Sequence, residues 1–308
     1  MGRTCGIRSG RLILGGTLAG GDGTDGERGC FCSQRPKLKR ETEMNQSECS
    51  DWQIPPGVSR GVWDYTQADH IATDYDRYFA DHQLMELDLQ IARQFIGLNR
   101  HVIDLGCGTG RALLPLVAEG RTGVAVDLSE QMLRVLQQKA AEDNLKIDGV
   151  RANLVDLSCF CDESVDDAIC LFSTLGMIDS DNCRQACLNH VNRILRPGGV
   201  FILHVHNLWF NLFDPRGPGW LLRNLIRSRG QVHRGRGDRQ YDYRGIRNFF
   251  LHVFTRFELK SLLQKAGFEV EQWNLIGAAS QGRLRRPWLL PSLRARGWIV
   301  VGRKPNVD

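Results

Sequence analysis

The sequence predicts an α/β domain in which helices cover both faces of a mostly parallel β-sheet. The chain has 308 residues, of which 42% are hydrophobic, so it is long enough to bury one large core. Short apolar runs bounded by turn residues alternate with amphipathic segments from about residue 101 to residue 206. Strands joined by single helices run parallel, because the right-handed crossover returns the chain to the same edge. The pattern is therefore typical of a doubly wound sheet.

The individual elements follow from this alternation. We predict strands at 101–105, 123–126, 147–152, 167–172 and 200–206, with helices at 110–118, 129–142 and 181–195 between them. Thr255-Arg-Phe-Glu258 has the spacing of a capping box, which predicts a helix to about Ala266. Strands at 268–273 and 298–301 complete a seven-stranded sheet whose final strand is antiparallel. The ligand is expected outside the carboxyl ends of the strands, beside the first one.

The flanking regions divide the chain further. Residues 1–50 are rich in Gly, Ser, Thr and charge and show no sustained period, so we predict a disordered extension. Met44 follows this stretch, and residues 1–43 are interpreted as a mis-assigned start. In residues 51–98, helical spacing predicts two helices, at 67–79 and 84–96, that cover the ligand site. The remaining domain spans 99–303, and its irregular, Gly/Arg-rich segment 207–254 is expected to form a lid or insertion.

Composition argues against several classes of protein. No stretch approaches the roughly 20 consecutive apolar residues of a membrane helix, so no membrane partner is expected. The ten cysteines include no C-x-x-C pair, and reduced thiols are typical of a cytoplasmic protein. Cys159 and Cys161 have no histidine at zinc-site spacing, so no metal is predicted. The oligomeric state is left open.

Positive charge is concentrated in the C-terminal half. The net charge is +5, and the stretch from Arg216 to Arg256 holds ten arginines against two aspartates. A second cluster extends from Arg283 to Arg296. Such clusters are either solvated faces or surfaces for an anionic partner such as RNA.

One loop carries the strongest chemical signal. In Asp104-Leu-Gly-Cys-Gly-Thr-Gly110 the glycines let the backbone turn sharply and approach a ligand closely. A dinucleotide fingerprint has its third glycine one residue later and no acid two residues before the first glycine. Asp104 would attract the ammonium and sulfonium groups of S-adenosylmethionine and repel the pyrophosphate of NAD. The alternative role for Asp104 is to cap loop amides.

A second acid strengthens this interpretation. The strand at 123–126 ends in Asp127, where a carboxylate can accept both hydroxyls of a ribose. The alternative, an aspartate that caps the next helix, is disfavoured because Ser129 is available as that cap. Together, Asp104 and Asp127 predict S-adenosylmethionine as the cofactor.

From about residue 71 to residue 302 the chain resembles the class I S-adenosylmethionine-dependent methyltransferases, which have a Rossmann-like fold. Residues 104–110 resemble the first motif of that family, and Asp127 resembles its ribose acid. Residues 151–157 are similar to the adenine-binding turn, 164–169 to the start of strand four, and 195–199 to the turn before strand five. The family usually has Asp at the adenine turn, whereas this chain has Asn153, whose amide oxygen can still accept from the adenine amine.

The motifs and the resemblance together give a set of cofactor contacts. Leu154 would offer its backbone amide to the adenine, Met132 and Phe172 would pack on the ring, and Tyr75 or Tyr78 would close over the methionine end, unless these tyrosines belong to the core. The full set is Tyr75, Asp104, Gly106, Cys107, Gly108, Thr109, Gly110, Asp127, Leu128, Met132, Asn153, Leu154 and Phe172.

The methyl acceptor is less constrained. Residues 173–177, Ser-Thr-Leu-Gly-Met, lack the Asn/Asp-Pro-Pro-aromatic motif of base-amine methylation, and no Pro-Cys dipeptide supplies a nucleophile for pyrimidine carbon methylation. The remaining possibility is direct in-line transfer of the methyl group to an oxygen, nitrogen or carbon atom. Such transfer requires that the reactants are positioned and that a base removes one proton. The candidate bases are His206 and His252, with Tyr241 or Tyr243 as alternatives. His204 is expected to be a core histidine.

Three functions are consistent with these features. The leading prediction is an enzyme that methylates a small molecule, with segment 207–254 over the acceptor. The second keeps the chemistry but takes RNA, such as tRNA, as the acceptor through the arginine clusters. The third is a non-catalytic module that binds S-adenosylmethionine for regulation.

Overall fold

The computed structural model describes residues 50–79, 83–213, 217–227, 236–277 and 282–306. The predictions of a disordered extension and of a mis-assigned start concern residues 1–50, which, apart from Ser50, lie outside this set.

The N-terminal region forms four helices after a 3-10 turn at Asp51–Gln53. They are α1 (Arg60–Gln67), α2 (Asp69–Thr73), α3 (Tyr75–Tyr78) and α4 (Gln83–Phe95). The prediction of one helix at 67–79 was wrong, because helix formation starts earlier, where the Ser59 hydroxyl accepts from the Val62 amide at 3.3 Å. Helix α1 ends at Ala68, and α2 ends at Asp74. The second predicted helix agrees with α4 to within a residue.

Alternating strands and helices follow, largely as predicted. They are β1 (His101–Leu105), α5 (Leu113–Ala118), β2 (Thr122–Asp127), α6 (Glu130–Glu142), β3 (Ile147–Arg151), β4 (Asp167–Cys170), α7 (Thr174–Met177), α8 (Asp181–Ile194) and β5 (Val200–His206).

The C-terminal part contains a 3-10 helix at Leu208–Phe213, then α9 (Gly217–Arg227), β6 (Asp238–Tyr243), β7 (Ile246–His252), α10 (Arg256–Lys265), β8 (Glu269–Ile276), α11 (Pro291–Arg294) and β9 (Gly297–Arg303). The capping box at Thr255 and Glu258 is present, with both hydrogen bonds at 3.2 Å. The expectation that residues 207–248, within the predicted lid or insertion at 207–254, are irregular was wrong. The described residues of this insertion form helices and a β-hairpin, because apolar side chains such as Phe249 and Leu251 are buried there.

The main sheet has the order β3-β2-β1-β4-β5-β9-β8, and β9 runs antiparallel to both of its neighbours. The prediction of a seven-stranded, mostly parallel sheet with an antiparallel final strand is therefore confirmed. The connections reverse direction between β1 and β4, which pair in parallel from Val102 and Asp167 onward. The carboxyl ends of these two strands form the crevice in which such sheets bind ligands.

Apolar residues of the sheet are buried on both faces. The face that contains Ile103 and Leu105 packs against α8 and α10, whereas the face that contains Val102 packs against α4, α5 and α6. A third apolar cluster joins Val62 of α1, Leu221 of α9 and the hairpin β6–β7. We call α1, the 3-10 helix at 208–213, α9 and the hairpin β6–β7 the cover, because residues of α1 and of the hairpin line the cavity described below.

Candidate cofactor and acceptor site

The loop after β1 is held in a sharp turn by three glycines with positive φ. Gly106, Gly108 and Gly110 have φ values of 74°, 53° and 81°, in the left-handed region that favours glycine. The amides of Gly106 and Cys107 donate to the Val126 carbonyl at 2.8 and 3.1 Å. A side chain at position 106 would collide with Thr174. The loop is therefore fixed against the ends of both β2 and β4.

Asp127, at the end of β2, connects this loop to helix α6. Its Oδ2 accepts from the Gly108 amide at 2.9 Å, and its Oδ1 accepts from the Ser129 amide at 2.8 Å. The cap of α6 is Ser129, whose hydroxyl accepts from the Met132 amide at 3.4 Å. Burial raises the pKa of Asp127, and the backbone donors partly offset that shift. Asp127 is thus oriented by two amides without being the helix cap.

A cavity of about 270 Å³ lies between the strand ends and the cover. Nine of the thirteen cofactor residues predicted from sequence line it, and so does His206. The nine are Tyr75, Gly106, Gly108, Asp127, Leu128, Met132, Asn153, Leu154 and Phe172.

A smaller cavity of about 40 Å³ shares Tyr75, Gly106 and Phe172 with the first one. Asp104 and Cys107 line this second cavity, so eleven of the thirteen predicted residues are gathered around the two cavities. Burial and the nearby Asp127 carboxylate raise the pKa of Asp104 to about 8. The group is therefore mostly protonated at pH 7 unless a cation approaches it.

Arg111 also lines the smaller cavity, and the sequence interpretation did not include it. Its guanidinium carbon lies 4.8 Å from the ring centroids of Tyr75 and Phe79. Burial lowers the pKa of this side chain. Within the described part of the chain it makes no ion pair at 4.0 Å or less. The sequence could have indicated Arg111, because a cationic residue directly after Gly110 adjoins the predicted cofactor loop.

Thr109 and Gly110 do not line either cavity. The Thr109 hydroxyl donates to Asp76 Oδ1 at 2.6 Å, and a side chain at position 110 would meet Leu136 of α6 at 2.8 Å. These two residues hold α3 and α6 against the loop, and their contact with the cofactor stays a prediction.

The two histidines of β5 differ in their surroundings. His206 lines the larger cavity, and burial, with His204 and Arg296 nearby, lowers its pKa to about 3. His204 is buried, and its Nδ1 lies 2.8 Å from Asp88 Oδ1, as expected of a core histidine. His206 is therefore a neutral group at the cavity wall.

His252 is not part of the cavity lining. Its ring nitrogens lie 2.6 Å from Asp238 and 2.7 Å from Glu258. Burial opposes the charged ring, but the two carboxylates outweigh it and raise the pKa. Both nitrogens are engaged, so His252 joins the hairpin to α10. This structural role replaces the catalytic role suggested by the sequence.

Asn153 connects the adenine-type turn to the N-terminal segment. Its Nδ2 donates to the Pro56 carbonyl at 2.8 Å, and its Oδ1 accepts from the Val155 amide at 3.2 Å. An aspartate could not make the first of these bonds, because a carboxylate has no N–H donor. The departure from the usual acid thus has a local function, which is to hold the segment next to Gly57 at the cavity.

The cover contributes an aromatic wall that the sequence interpretation mostly missed. Tyr65 of α1 and Phe249 and Leu251 of β7 line the larger cavity, together with Tyr241 and Tyr243 of β6. The Tyr65 and Phe249 ring centroids are 5.2 Å apart. Burial raises the pKa of Tyr65, Tyr241 and Tyr243, so these phenols are neutral at pH 7. The sequence indicated only Tyr241 and Tyr243 as residues near the acceptor. The presence of the other side chains in this wall depends on tertiary packing.

Comparison with known proteins agrees with this geometry. The family model described as a methyltransferase domain matches residues 102–199. An uncharacterised protein of Methanocaldococcus jannaschii is 28% identical over 66% of this chain and 74% of its own length. A carboxy-S-adenosyl-L-methionine synthase of Yersinia pestis is 30% identical over 59% of this chain and 68% of its own length.

A structural neighbour shows the same fold. A methyltransferase of Methanosarcina mazei, described as S-adenosylmethionine-dependent, aligns with a TM-score of 0.58 and 21% identity. The alignment covers 70% of this chain and 98% of that structure. Other curated relatives are matched over less than half of their own length, between 38% and 44%.

The chain therefore belongs to the class I S-adenosylmethionine-dependent methyltransferases. S-adenosylmethionine is the cofactor that this membership assigns to it.

Replacement of Asp127 tests the ribose contact. We expect Asp127→Ala to weaken S-adenosylmethionine binding by about 1 to 3 kcal/mol, because buried hydroxyls would lose a charged partner. Calorimetric titration measures this change. Asp156→Ala is a matched control, since Asp156 accepts from the Ser158 amide at 3.1 Å in an exposed turn outside the cavity. An unchanged affinity in Asp127→Ala would place the ribose elsewhere.

Asp104 predicts a measurable proton release. With a pKa of about 8, the free carboxyl group is protonated at pH 7, whereas an ammonium beside it favours the carboxylate. Cofactor binding at pH 7 should therefore release up to about 0.9 proton, and affinity should rise as the pH approaches 8. Titration calorimetry in two buffers of different ionisation enthalpy gives the proton count. Proton release that persists unchanged in Asp104→Asn would contradict this role.

Proposed function

We propose that the protein transfers the methyl group of S-adenosylmethionine to a small, largely apolar or aromatic molecule. The observation that carries this proposal is the composition of the larger cavity. Gly106, Gly108 and Asp127 line one part of it, and the aromatic wall lines another. A cofactor at the glycine loop and an acceptor at the aromatic wall would therefore share one enclosed space.

The side chains around the two cavities fit the chemical groups of the cofactor. Arg111 suits the methionine carboxylate because it is a cation, and Asp104 suits the ammonium because it becomes a carboxylate when a cation approaches it. Asp127 suits the ribose, while the apolar Leu128, Met132 and Leu154 suit the adenine. When bound, S-adenosylmethionine supplies an electrophilic methyl group on a sulfonium.

The aromatic wall favours transfer in two ways. Aromatic rings such as those of Tyr65 and Phe249 attract positive charge to their faces through their quadrupoles, which suits a sulfonium. The same rings exclude water and orient a flat or apolar acceptor by contact, so the reacting atoms are held together. Positioning of this kind can lower a barrier by as much as about 7 to 11 kcal/mol without a strong base.

His206 is the residue best placed to handle the proton that an O–H or N–H acceptor loses. Its imidazole lines the cavity and is neutral at pH 7, because its pKa is near 3. A base with so low a pKa is weak, since the optimum lies near the working pH. We therefore assign His206 the role of accepting a hydrogen bond that orients the acceptor.

The RNA alternative is less well supported. Several arginines of the C-terminal half make internal contacts that stabilise the fold. Arg239 lies over the rings of Trp220 and Tyr241, and Arg294 donates to the carbonyls of residues 285, 286 and 289. Arginines occupied in this way contribute less to a phosphate-binding surface.

Transfer of a radiolabelled methyl group separates the candidate functions. The purified protein and labelled S-adenosylmethionine are incubated with a lysate, which is then fractionated into small molecules, RNA and protein. We expect label in the small-molecule fraction, and Asp127→Ala should reduce it at a cofactor concentration that does not saturate the variant. Label in RNA that is lost at high salt would favour the RNA alternative. Cofactor binding without labelled product would favour the non-catalytic module.

The pH dependence tests the role of His206. At saturating cofactor, the pH profile of kcat should show no ionisation of an imidazole between pH 5 and pH 8, because the His206 ring is already neutral in that range. Loss of one hydrogen bond in His206→Ala should lower kcat/KM by about tenfold, and His206→Asn should recover part of that loss. A wild-type break near pH 6.5 that disappears in His206→Asn would show that His206 is instead a base with an ordinary pKa.

A further inference from the structure

The outer surface of the protein around α9 carries large apolar side chains in contact with solvent. Phe213, Leu222, Ile226, Trp288 and Leu290 are each at least 60% exposed. We call these five residues the apolar patch. Single exposed apolar residues are common, but a group of them marks an interaction surface.

These residues belong to neighbouring elements. The 3-10 helix that ends at Phe213 contacts both α9 and α11. Asn207, which precedes that helix, donates to the carbonyls of Ser292 and Ala295 at 2.6 and 2.7 Å. Arg296 lies over the Phe210 ring at 4.5 Å. The segments that carry the patch are thus joined by specific contacts.

Helix α9 is apolar on two sides. Leu221 is 3% exposed and packs into the cover, whereas Leu222 and Ile226 point away from it, one helical turn apart. The partly buried Trp220 packs against the same cluster. The apolar stripe of α9 is therefore wider than the part that the cover buries, and Leu222 and Ile226 remain available to a partner.

Arginines dominate the charge of this surface. Arg223, Arg285 and Arg286 are exposed around the apolar patch. The described segments 208–213, 217–227 and 282–294 contain no Asp or Glu, and the acid nearest to them in the sequence is Asp214. The partner must therefore present apolar groups and negative charge together.

Three kinds of partner can be compared with this chemistry. A second copy of the chain would bring the same positive charge and be repelled. A nucleic acid would satisfy the arginines and could stack bases on Phe213 and Trp288, but it would leave the aliphatic Leu222 and Ile226 in water. An anionic phospholipid bilayer satisfies both requirements, because apolar side chains enter the acyl boundary while arginines reach the headgroup phosphates.

We propose that the apolar patch and its arginines dock the protein peripherally onto an anionic phospholipid membrane. In the described residues no helix is long and apolar enough to cross a bilayer. Docking at the interface requires no such helix. The proposal differs from the sequence-based expectation of no membrane partner, which was based on spanning segments alone. It is independent of the proposed methyl transfer.

Vesicle sedimentation with the full-length protein tests the proposal. Vesicles of phosphatidylcholine are compared with vesicles that also contain phosphatidylglycerol. We expect binding to the anionic vesicles only, and a marked loss of it when NaCl is raised from about 0.1 M to about 1 M, which shortens the screening length from about 10 Å to about 3 Å.

Two sets of variants separate the apolar and charged contributions. L222S/I226S and, independently, Trp288→Ser should each weaken vesicle binding by about tenfold or more. R285S/R286S should weaken it and reduce its dependence on salt. The matched control is Leu98→Ser, because Leu98 is 63% exposed between α4 and β1 and lies outside the patch. Unchanged cofactor affinity shows that a variant is folded, and Trp288→Ser serves alone if the double variant does not fold.

Several results would overturn the proposal. No binding to either vesicle type, or equal binding by wild type, L222S/I226S and Trp288→Ser, would exclude apolar insertion. Binding to tRNA without vesicle binding would assign the surface to nucleic acid. A dimer that dissociates in L222S/I226S, in the absence of vesicle binding, would assign it to self-association.

Discussion

The two hydrogen bonds to Asp127 are the interaction on which the site depends. One carboxylate holds the Gly108 amide of the loop after β1 and the Ser129 amide at the start of α6. Ser129 in turn donates to the Thr66 carbonyl at 2.7 Å, so α1 is joined to the same point. The bonds to Asp127 are partly buried and the bond to Thr66 is buried, so losing one would leave shielded polar groups unsatisfied at the point where the three elements meet.

Electrostatics at the smaller cavity follow from the same arrangement. The buried Asp104 and the half-buried Asp127 lie close enough for the charge of Asp127 to raise the pKa of Asp104. Arg111 lines the same cavity among aromatic rings, with burial opposing its charge. A cation and a carboxyl group that can ionise suit a zwitterionic ligand, because such a ligand can pair with both at once.

The cover explains how a common scaffold acquires a particular acceptor space. It combines α1 from the N-terminal region with α9 and the hairpin β6–β7, which are inserted after β5. Its inner side provides Tyr65 and Phe249 to the cavity, and its outer side carries Leu222 and Ile226. One small apolar cluster therefore separates a candidate acceptor site from a candidate membrane surface.

The sequence by itself determined the parts of this protein that depend on local chemistry. Hydrophobic alternation identified every strand of the main sheet, and the spacing of Gly106, Gly108 and Asp127 predicted the cofactor side, because turn geometry and strand ends are encoded over a few residues. Tertiary structure alone decided the rest. The sequence did not show that His252 lies between Asp238 and Glu258, that its surroundings lower the pKa of His206, or that the rings of Tyr65 and Phe249 pack together at the cavity. Those properties depend on burial and on partners far apart in the chain, which periodicity does not record.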